Sequence, residues 1–274
     1  MRIAVLQTSL CIALGAVLGA TAPAAASEDY FGLGDGHHGT KVVSGVEVVN
    51  TYSRLANDVL AGDDTIAVAD GSRFATGDLV LVWQVNGQPL PTSGDQTEID
   101  LSSGPVGQFE FARVEGVAAN TLTLADPMVN AFAQAHSQAI FVPEYTDVTV
   151  GVADEIQAAD WDPSLGEGGI AAFLATGTVT VDGLVTANGA GFVGGTDRGN
   201  SGANGCTGLD EPSPTGAEKG ESIVGLDFVG GGPPGGTGRG NRANGGGGGV
   251  CHNSGGGGGG HGGLGGLGGR TWRG

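Results

Sequence analysis

Cysteine and histidine side chains in the last third of the sequence carry its most recognisable chemistry. Cys206, Cys251, His252 and His261 offer thiolate and imidazole ligands for zinc. A structural zinc site usually takes two close pairs of ligands, whereas only Cys251 and His252 are neighbours here. Two cysteines in an exported chain more often form a disulfide. We therefore predict a Cys206–Cys251 disulfide, with free thiols or a zinc site as alternatives, and expect no resident metal or cofactor.

The predicted disulfide closes a loop of about 45 residues in sequence that is poor in apolar side chains. On the chain-entropy model, such a cross-link stabilises the folded state by about 3–4 kcal/mol. Chains that cannot build a large core depend most on cross-links of this kind.

Carboxylates between residues 154 and 167 raise the question of glycoside hydrolysis, which needs an acid together with a base or nucleophile. The group consists of Asp154, Glu155, Asp160, Asp162 and Glu167. Enzymes that use carboxylates on a β-helix carry them on one long face of many coils. Here the group falls in a short connector beside Trp161, so we interpret it as a solvated junction. If the chain is an enzyme, Asp160 and Asp162 are its candidate catalytic residues.

Other catalytic motifs lack supporting context. The GNSG segment at 199–202 resembles the nucleophile loop of serine proteases, but His136 has no signature of a triad base. Glycine patterns similar to GxGxxG do not lie between a strand and a helix, and the sequence has no GxxxxGK[ST] motif. The adjacent histidines His37 and His38 lack the further ligands of a metal site. The sequence predicts no catalytic residue.

The N-terminal segment predicts export. Residues 1–26 combine a basic start, an apolar stretch and the small residues Ala24–Ala26, which is the pattern of a secretory signal peptide. A membrane anchor needs about 20 unbroken apolar residues, and Gln7–Ser9 interrupt this stretch. Cleavage removes Cys11, and no later segment is long and apolar enough to span a membrane. We predict a secreted protein or one on the outer cell surface.

The charge balance excludes one class of partner. The chain has 29 acidic residues against 11 basic ones, which gives a formal net charge of −18. Phosphate binding requires a basic surface, so nucleic acid is not expected as a partner. Glycine is distributed unevenly, because 20 of the 57 glycines lie in residues 1–182 and 37 lie in residues 183–274. The first part can bury a modest core, and the second must gain order in another way.

Short apolar runs after residue 46 predict an all-β domain. Residues 27–46 are interpreted as a leader and residues 47–145 as a small antiparallel β-barrel or sandwich. Runs of β-forming residues separated by Gly, Asp and Ser predict strands. These strands are expected at 65–69, 79–85, 108–114, 121–124 and 139–142, and the polar stretch 86–107 is expected to be a long hairpin loop.

Residues 146–195 have a different sequence pattern, in which short β-branched strands alternate with Gly, Asp and Asn. The segment TVTVDGLVTANG, residues 178–189, has Asx-Gly corners that suit a β-hairpin. The same pattern suits the coils of a β-solenoid, in which each strand stacks on the one before. Both alternatives stay open at this point. We describe 146–195 as β-solenoid-like and 196–274 as a glycine-rich region, in which Cys206 and Cys251 lie.

The order of these segments is similar to that of secreted, glycine-rich, adhesin-like surface proteins of myxobacteria and Bacteroidetes. The resemblance covers most of residues 47–269. Its most specific parts are WD followed by GGIAAF, which spans 161–173, and ANGGGGGVCHNSGGGGGG at 243–260. It implies a cell-surface location and further sequence beyond TWRG, and the group has no established chemistry to transfer.

A weaker resemblance links the glycine-rich region to the tips of some phage adhesins, where glycine runs form bundles of polyproline-II-like helices. Such a helix has about three residues per turn and no internal hydrogen bonds, so its backbone must pair with neighbouring strands. His261, Leu264, Leu267 and Arg270 recur at every third position. A threefold helix places all four residues along one edge and turns the glycines between them toward packing partners.

Taken together, the sequence predicts an exported, non-catalytic, structural or adhesin-like protein that acts by display and contact. Its expected partners are carbohydrate, another cell surface or the matrix. The alternatives are a fragment of an extracellular polysaccharide-active β-helix enzyme and a purely architectural spacer. The ligand and the oligomeric state do not follow from the sequence.

Overall fold

A computed structural model describes residues 32–102, 104–196, 203–225 and 236–271 of the chain. These residues form β strands, two short 3₁₀ helices and extended glycine-rich segments, which confirms the all-β prediction. Within the described ranges, no helix has the length and apolar character needed to cross a membrane. The predicted signal peptide and the GNSG segment lie outside these ranges.

The strands fall into an antiparallel group and a parallel group. In chain order they are β1 (Lys41–Val42), β2 (Val46–Glu47), β3 (Tyr52–Arg54), β4 (Thr65–Ala67), β5 (Leu79–Gln84), β6 (Phe109–Ala118), β7 (Thr121–Leu124), β8 (Ser137–Val142), β9 (Glu144–Tyr145), β10 (Val148–Val150), β11 (Glu155–Gln157), β12 (Leu174–Ala175), β13 (Val179–Val181) and β14 (Leu184–Thr186).

The antiparallel group is a six-stranded sheet with the order β3-β8-β5-β6-β7-β4. It contains strands at each of the five positions predicted from the apolar runs, and the β5–β6 pairing makes 86–107 the expected hairpin loop. The sheet curls until its two edge strands approach each other, where Leu55 bridges to Val68. Backbone hydrogen bonds from Ala56 to Ala67 and from Ala69 to Arg54 fix this closure.

Alternation along β5 decides which side chains enter the core of the sheet. Val80 and Val82 are fully buried and pack with Leu122 and Phe132 inside the curl. Burying an apolar side chain of this size stabilises the fold by about 1.5–3 kcal/mol. Because successive strand residues point to opposite faces, Trp83 lies on the other side of the sheet. That face is the one that meets the rest of the chain.

The parallel group stacks three passes of the chain on one another. Parallel pairing joins β1-β10-β13 in one sheet, β2-β11-β14 in a second and β9-β12 in a third. We call these passes the first coil (residues 37–47), the second coil (144–157) and the third coil (174–186). The chain leaves the stack after β2, builds the antiparallel sheet and returns at β9. Two strands of the stack therefore lie in or overlap residues 27–46, which the sequence suggested as a leader.

The pairing of β13 and β14 decides between the two interpretations of TVTVDGLVTANG. The two strands do not pair with each other, because β13 pairs with β10 and β14 pairs with β11. The hairpin is therefore wrong, and the Asp182–Gly183 corner turns the chain from one sheet of the stack to the next. A side chain at Gly183 would overlap the carbonyl oxygens of Gly151 and Asp154, so the corner requires glycine.

A buried ion pair joins the sheet to the stack. Arg113 on β6 donates to both carboxylate oxygens of Glu144 on β9, with 2.8 Å between Nη2 and Oε1. Glu144 is fully buried and Arg113 is 6% exposed. A bidentate pair of this kind is geometrically specific, and removal of either partner destabilises the fold. The orientation of the sheet on the second coil is therefore fixed by charge as well as by apolar packing.

The glycine-rich region is a set of extended runs held side by side by backbone hydrogen bonds. We call it the glycine bundle; its runs comprise residues 216–221, 236–250, 255–260 and 264–270. Donors within a run are three residues apart: Ala217 and Gly220 donate to Gly249 and Gly246, Gly257 and Gly260 donate to Gly247 and Asn244, and Gly266 and Gly269 donate to Gly258 and Gly255. The spacing matches the period of about three residues in a polyproline-II helix, whose backbone pairs only with neighbours.

Close approach explains why these runs are glycine. A Cβ atom at Gly257 would overlap the carbonyl of Gly266, and one at Gly268 would overlap the carbonyl of Gly248. Gly258, by contrast, has open space where its side chain would be. These glycines are required by the contact between backbones rather than by an unusual φ angle.

A disulfide joins Cys206 to Cys251, with 5.8 Å between the Cα atoms. This pairing is the one that the sequence favoured, and it excludes a zinc site that uses either thiolate. Among the residues of the proposed helix edge, His261, Leu267 and Arg270 are exposed and Leu264 is partly buried. Between them Gly265 and Gly268 are buried, so burial in this run also recurs at every third residue.

Candidate ligand-binding cleft

A cleft of about 640 Å³ lies where the antiparallel sheet, the connector after the second coil and the glycine bundle meet. Pockets that bind small ligands have volumes of roughly 300–1,000 Å³. The side chains that give this cleft its character are Trp83, Trp161, Phe192, Glu218, Glu221 and His261. We call it the junction cleft. From the sequence, Trp161 is expected at a junction, but no sequence pattern indicates a pocket there.

Two contacts, one of the indole N–H and one of the ring, hold Trp161 in the wall of the junction cleft. Its indole Nε1 donates to Glu221, at 2.9 Å from Oε1 and 3.0 Å from Oε2. Its ring contacts Phe192 edge-on, with 5.7 Å between the centroids. The residue is 7% exposed. The indole therefore has a fixed orientation and presents part of its surface to the cleft without needing to reorganise.

Glu221 is a carboxylate of the cleft whose pKa is shifted. It is 6% exposed, and its Oε2 also accepts a hydrogen bond of 3.0 Å from the backbone of Val193. Burial raises the pKa of Glu221, and the hydrogen bonds from Val193 and Trp161 oppose this effect without cancelling it. The net effect of the cleft is to favour the protonated carboxyl more than water does.

Glu218 precedes Glu221 by three residues in the same extended run. A run with about three residues per turn brings both side chains to one side, and both line the junction cleft. Glu218 is 8% exposed, and its Oε2 accepts a hydrogen bond of 3.2 Å from the backbone of Thr196. The cleft thus has a pair of carboxylates on one wall.

The antiparallel sheet supplies the facing aromatic residue. Trp83 on β5 is half-buried and is the cross-strand neighbour of Phe109 on β6. The two rings are stacked, with 5.6 Å between centroids and 14° between planes. Trp83 lines the junction cleft, whereas Phe109 does not and is 53% exposed. Phe109 is therefore an aromatic control that lies beside the cleft and outside it.

The remaining wall of the cleft is largely glycine backbone. Gly220, Gly246 and Gly257 line it, and they belong to three different runs of the glycine bundle. A wall without side chains is flat and presents peptide N–H and C=O groups to a ligand. The cleft therefore combines aromatic surface and peptide surface with two carboxylates, which can accept hydrogen bonds from a ligand rich in hydroxyl groups.

The carboxylates singled out in the sequence do not line the junction cleft. Asp160 is exposed, and Asp162 accepts hydrogen bonds from the backbone and hydroxyl of Ser164 in its own turn. These hydrogen bonds lower the pKa of Asp162. Glu167 pairs with Arg73 at 2.7 Å. Asp162 and Glu167 thus make contacts within the fold that explain the presence of a carboxylate at each position.

The cleft carboxylates were missed in the sequence. Glu218 and Glu221 lie in EKGES, between glycine-rich stretches, and their i, i+3 spacing on a threefold run was the available signal. Phe192 was missed as well, because it lies in GAGFVGG, which has no pattern of its own. Trp161 and Glu221 are 60 residues apart, so no local pattern links them.

The adjacent histidines lie in a cluster with acidic side chains at the first coil. His37 Nδ1 is 2.5 Å from Asp35 Oδ1 and 3.7 Å from Glu144 Oε2. His38 Nδ1 accepts a hydrogen bond of 3.1 Å from the backbone of Glu144. Both oxygens of Glu144 are paired with Arg113, whose positive charge opposes a cation at this point. The imidazole and carboxylate atoms that could bind a cation already make these contacts, several of which tie the first coil to the second.

Comparison with known proteins finds no family for the chain. No protein-family model matches the chain, and no curated protein is significantly similar to it. The resemblance to secreted glycine-rich surface proteins therefore stays a prediction.

Three solved structures with some likeness to the chain are phage tailspikes. The Gp54 tailspike of Acinetobacter baumannii bacteriophage AP22, solved in complex with A. baumannii capsular saccharide, is 17% identical over 53% of this chain and 23% of the tailspike, with a TM-score of 0.29. The gp61 tailspike of Pseudomonas phage phi297 is 16% identical over 56% of this chain and 23% of its own, with a TM-score of 0.27. The gp49 tailspike of Pseudomonas phage LKA1 is 16% identical over 44% and 27%, with a TM-score of 0.25. The match spans about a quarter of each tailspike, and at these TM-scores it carries no argument about function.

Proposed function

We propose that the protein is an exported, adhesin-like surface protein that binds a saccharide in the junction cleft. The observation that carries this proposal is the cleft itself, in which Trp83, Trp161 and Phe192 are combined with a wall of glycine backbone and two carboxylates. The function is contact and attachment, in line with the structural role suggested by the sequence.

Saccharide chemistry fits the cleft better than other ligand classes. Sugar rings have apolar C–H faces that pack on aromatic rings, and their hydroxyl groups donate to carboxylates and peptide carbonyls. Glu218 and Glu221 supply such acceptors beside Trp161. A nucleotide or nucleic acid brings phosphate, which the net charge of −18 and the two acidic side chains disfavour.

Export is supported by two independent features. The Cys206–Cys251 disulfide is typical of oxidising compartments outside the cytosol. The N-terminal residues have the pattern of a secretory signal peptide. A location on the outer surface would bring the cleft into contact with glycans of other cells or of the matrix.

Binding of the purified full chain to an array of bacterial and host glycans tests the proposal. Trp83→Ala and Phe192→Ala should each weaken binding of the best-retained glycan about tenfold, which corresponds to roughly 1.4 kcal/mol. Phe109→Ala removes the ring that stacks on Trp83 from outside the cleft and should have a smaller effect than either of these substitutions. Binding by no glycan, or equal effects of all three variants, would refute the proposal, and absence of all binding would favour the spacer alternative.

Cleavage of the bound saccharide is a second candidate, favoured by the raised pKa of Glu221. A buried carboxyl whose pKa is raised is a candidate for the general acid of glycoside hydrolysis, and Glu218 would supply the second carboxylate. The bound oligosaccharide should then be shortened during incubation, and Glu221→Gln should abolish the shortening while it retains binding. Recovery of the intact oligosaccharide would exclude this candidate.

A further inference from the structure

Within the described part of the chain, the third coil is the last pass of the parallel stack and leaves its apolar interior open at one end. Val179, Val181 and Val185 continue the columns of Val148, Val150 and Ile156 of the second coil. The three residues of the second coil are fully buried, whereas those of the third coil are 45%, 45% and 42% exposed. Side chains that face the interior of a solenoid are thus half-exposed where the stack ends.

The first coil ends the same columns in a different way. Lys41 stands over Val148 and Glu47 stands over Ile156, and their side chains form an ion pair with each other. Both remain partly exposed at the opposite end of the stack. Terminal repeats of solenoids are expected to have a polar outer face, and the first coil meets that expectation. The third coil does not.

Strand edges add to the open surface of the third coil. Among the described residues, β13 and β14 are edge strands, each paired on one side only. Leu184 on β14 is also exposed, at 56%. An apolar, unprotected edge is a template for pairing with another chain unless it is covered. The sequence from 174 to 189 has a single charged residue, Asp182, so charge does not guard this edge.

We infer that the third coil is a self-association surface, through which two copies of the chain meet end to end about a two-fold axis. The partner that this surface needs has apolar side chains, open strand edges and little charge, and the third coil of a second copy has all three. Contact with the first coil of a second copy would bury the Lys41–Glu47 pair against Val179 and Val185, and burying a charged pair costs desolvation energy. The contact is therefore isologous and closes as a dimer.

The dimer formed in this way is weak and bivalent. A contact made by the end of one coil is narrow, and small interfaces are typically those of weak complexes, so we expect a dissociation constant on the order of 10 μM. The junction clefts of the two copies would act together on a surface that carries many ligands, which raises the apparent affinity without new contacts. Only this consequence rests on the proposed function; the dimer itself is independent of it.

Sedimentation equilibrium of the purified full chain tests the inference. The chain should dimerise between about 1 and 300 μM. Val181→Lys should raise the dissociation constant at least about tenfold, because each copy would bring a charge into the apolar contact. Val181→Thr, which keeps the shape and the strand propensity, should raise it by a smaller factor and guards against misfolding of the lysine variant. Thr180→Lys, on the outward face of the same strand, should leave it unchanged.

Three outcomes would overturn the inference. A chain that stays monomeric up to about 300 μM has no self-association surface of the proposed kind. Dimers that Thr180→Lys weakens as much as Val181→Lys do not use the interior columns of the third coil. Assemblies larger than a dimer would show head-to-tail stacking instead, because an isologous contact closes as a dimer.

Discussion

Adjacent glycines of the glycine bundle should respond in opposite directions to the same substitution. Gly257→Ala places a Cβ 2.6 Å and 2.8 Å from the carbonyl carbons of Gly266 and Leu267, closer than real Cβ atoms come. Gly258→Ala meets nothing within 4 Å, and Gly258 is not in the left-handed region of φ. Both positions are glycines of the same run of six glycines, at 255–260. They differ only in what lies next to them in the folded bundle.

The expected magnitudes follow from the contacts at each position. Overpacking costs about 1–3 kcal/mol, and the shift it forces weakens the hydrogen bonds Gly257–Gly247 and Gly266–Gly258, each worth about 1 kcal/mol. Gly257→Ala should therefore destabilise the bundle by about 2–4 kcal/mol. Gly258→Ala should stabilise it by about 0.4–1 kcal/mol, because alanine has less conformational freedom than glycine in the unfolded chain.

Hydrogen–deuterium exchange of peptides from residues 245–269, with urea unfolding of the whole chain, measures both effects. The account predicts much faster exchange in Gly257→Ala and unchanged or slower exchange in Gly258→Ala. Equal behaviour of the two variants would refute the reasoning, because a flexible linker is indifferent to which of its glycines is replaced.

Two buried charges give further predictions. Arg113→Met should lower the free energy of unfolding by about 3–5 kcal/mol in urea titrations, because Glu144 stays buried without its partner, and the Arg113→Met/Glu144→Met double variant should regain most of the loss; a double variant no more stable than Arg113→Met would contradict this. Since burial raises the pKa of Glu221, the folded state binds its proton more tightly than the unfolded state, so stability from this group is present at low pH and is lost as pH rises through the raised pKa. The wild type should therefore lose stability relative to Glu221→Gln as the pH rises above the usual glutamate pKa, and a pH-independent difference would contradict the assignment.

The antiparallel sheet was predictable because its signals are local. The run at 79–85 is apolar at every position except Gln84, and Gly77 and Asp78 mark the turn before it. Five of the six strands of this sheet, all except β3, lie at runs that their own residues specify. The pairing of β1 with β10 was not predictable, because Lys41 meets Val148 across more than a hundred residues and parallel pairing leaves no turn signature between the two strands.

The glycine bundle and the cleft were predictable only in part. The threefold spacing of Leu264 and Leu267 suggested extended helices, but the glycine letters of 255–260 are identical and do not say which of them touch a neighbour. The junction cleft arises from three separate segments of the chain. Glu221 accepts hydrogen bonds from Trp161 and Val193, which approach it only after the sheet, the stack and the bundle have assembled.

The central claim, saccharide binding in the junction cleft, is tested most directly by a crystal structure of the protein with the glycan that the array retains best. The account predicts a sugar ring packed on Trp83 or Trp161, with hydroxyl groups within hydrogen-bonding distance of Glu218, Glu221 or the glycine backbone. A glycan bound elsewhere on the protein, with the junction cleft free of it, would contradict the claim.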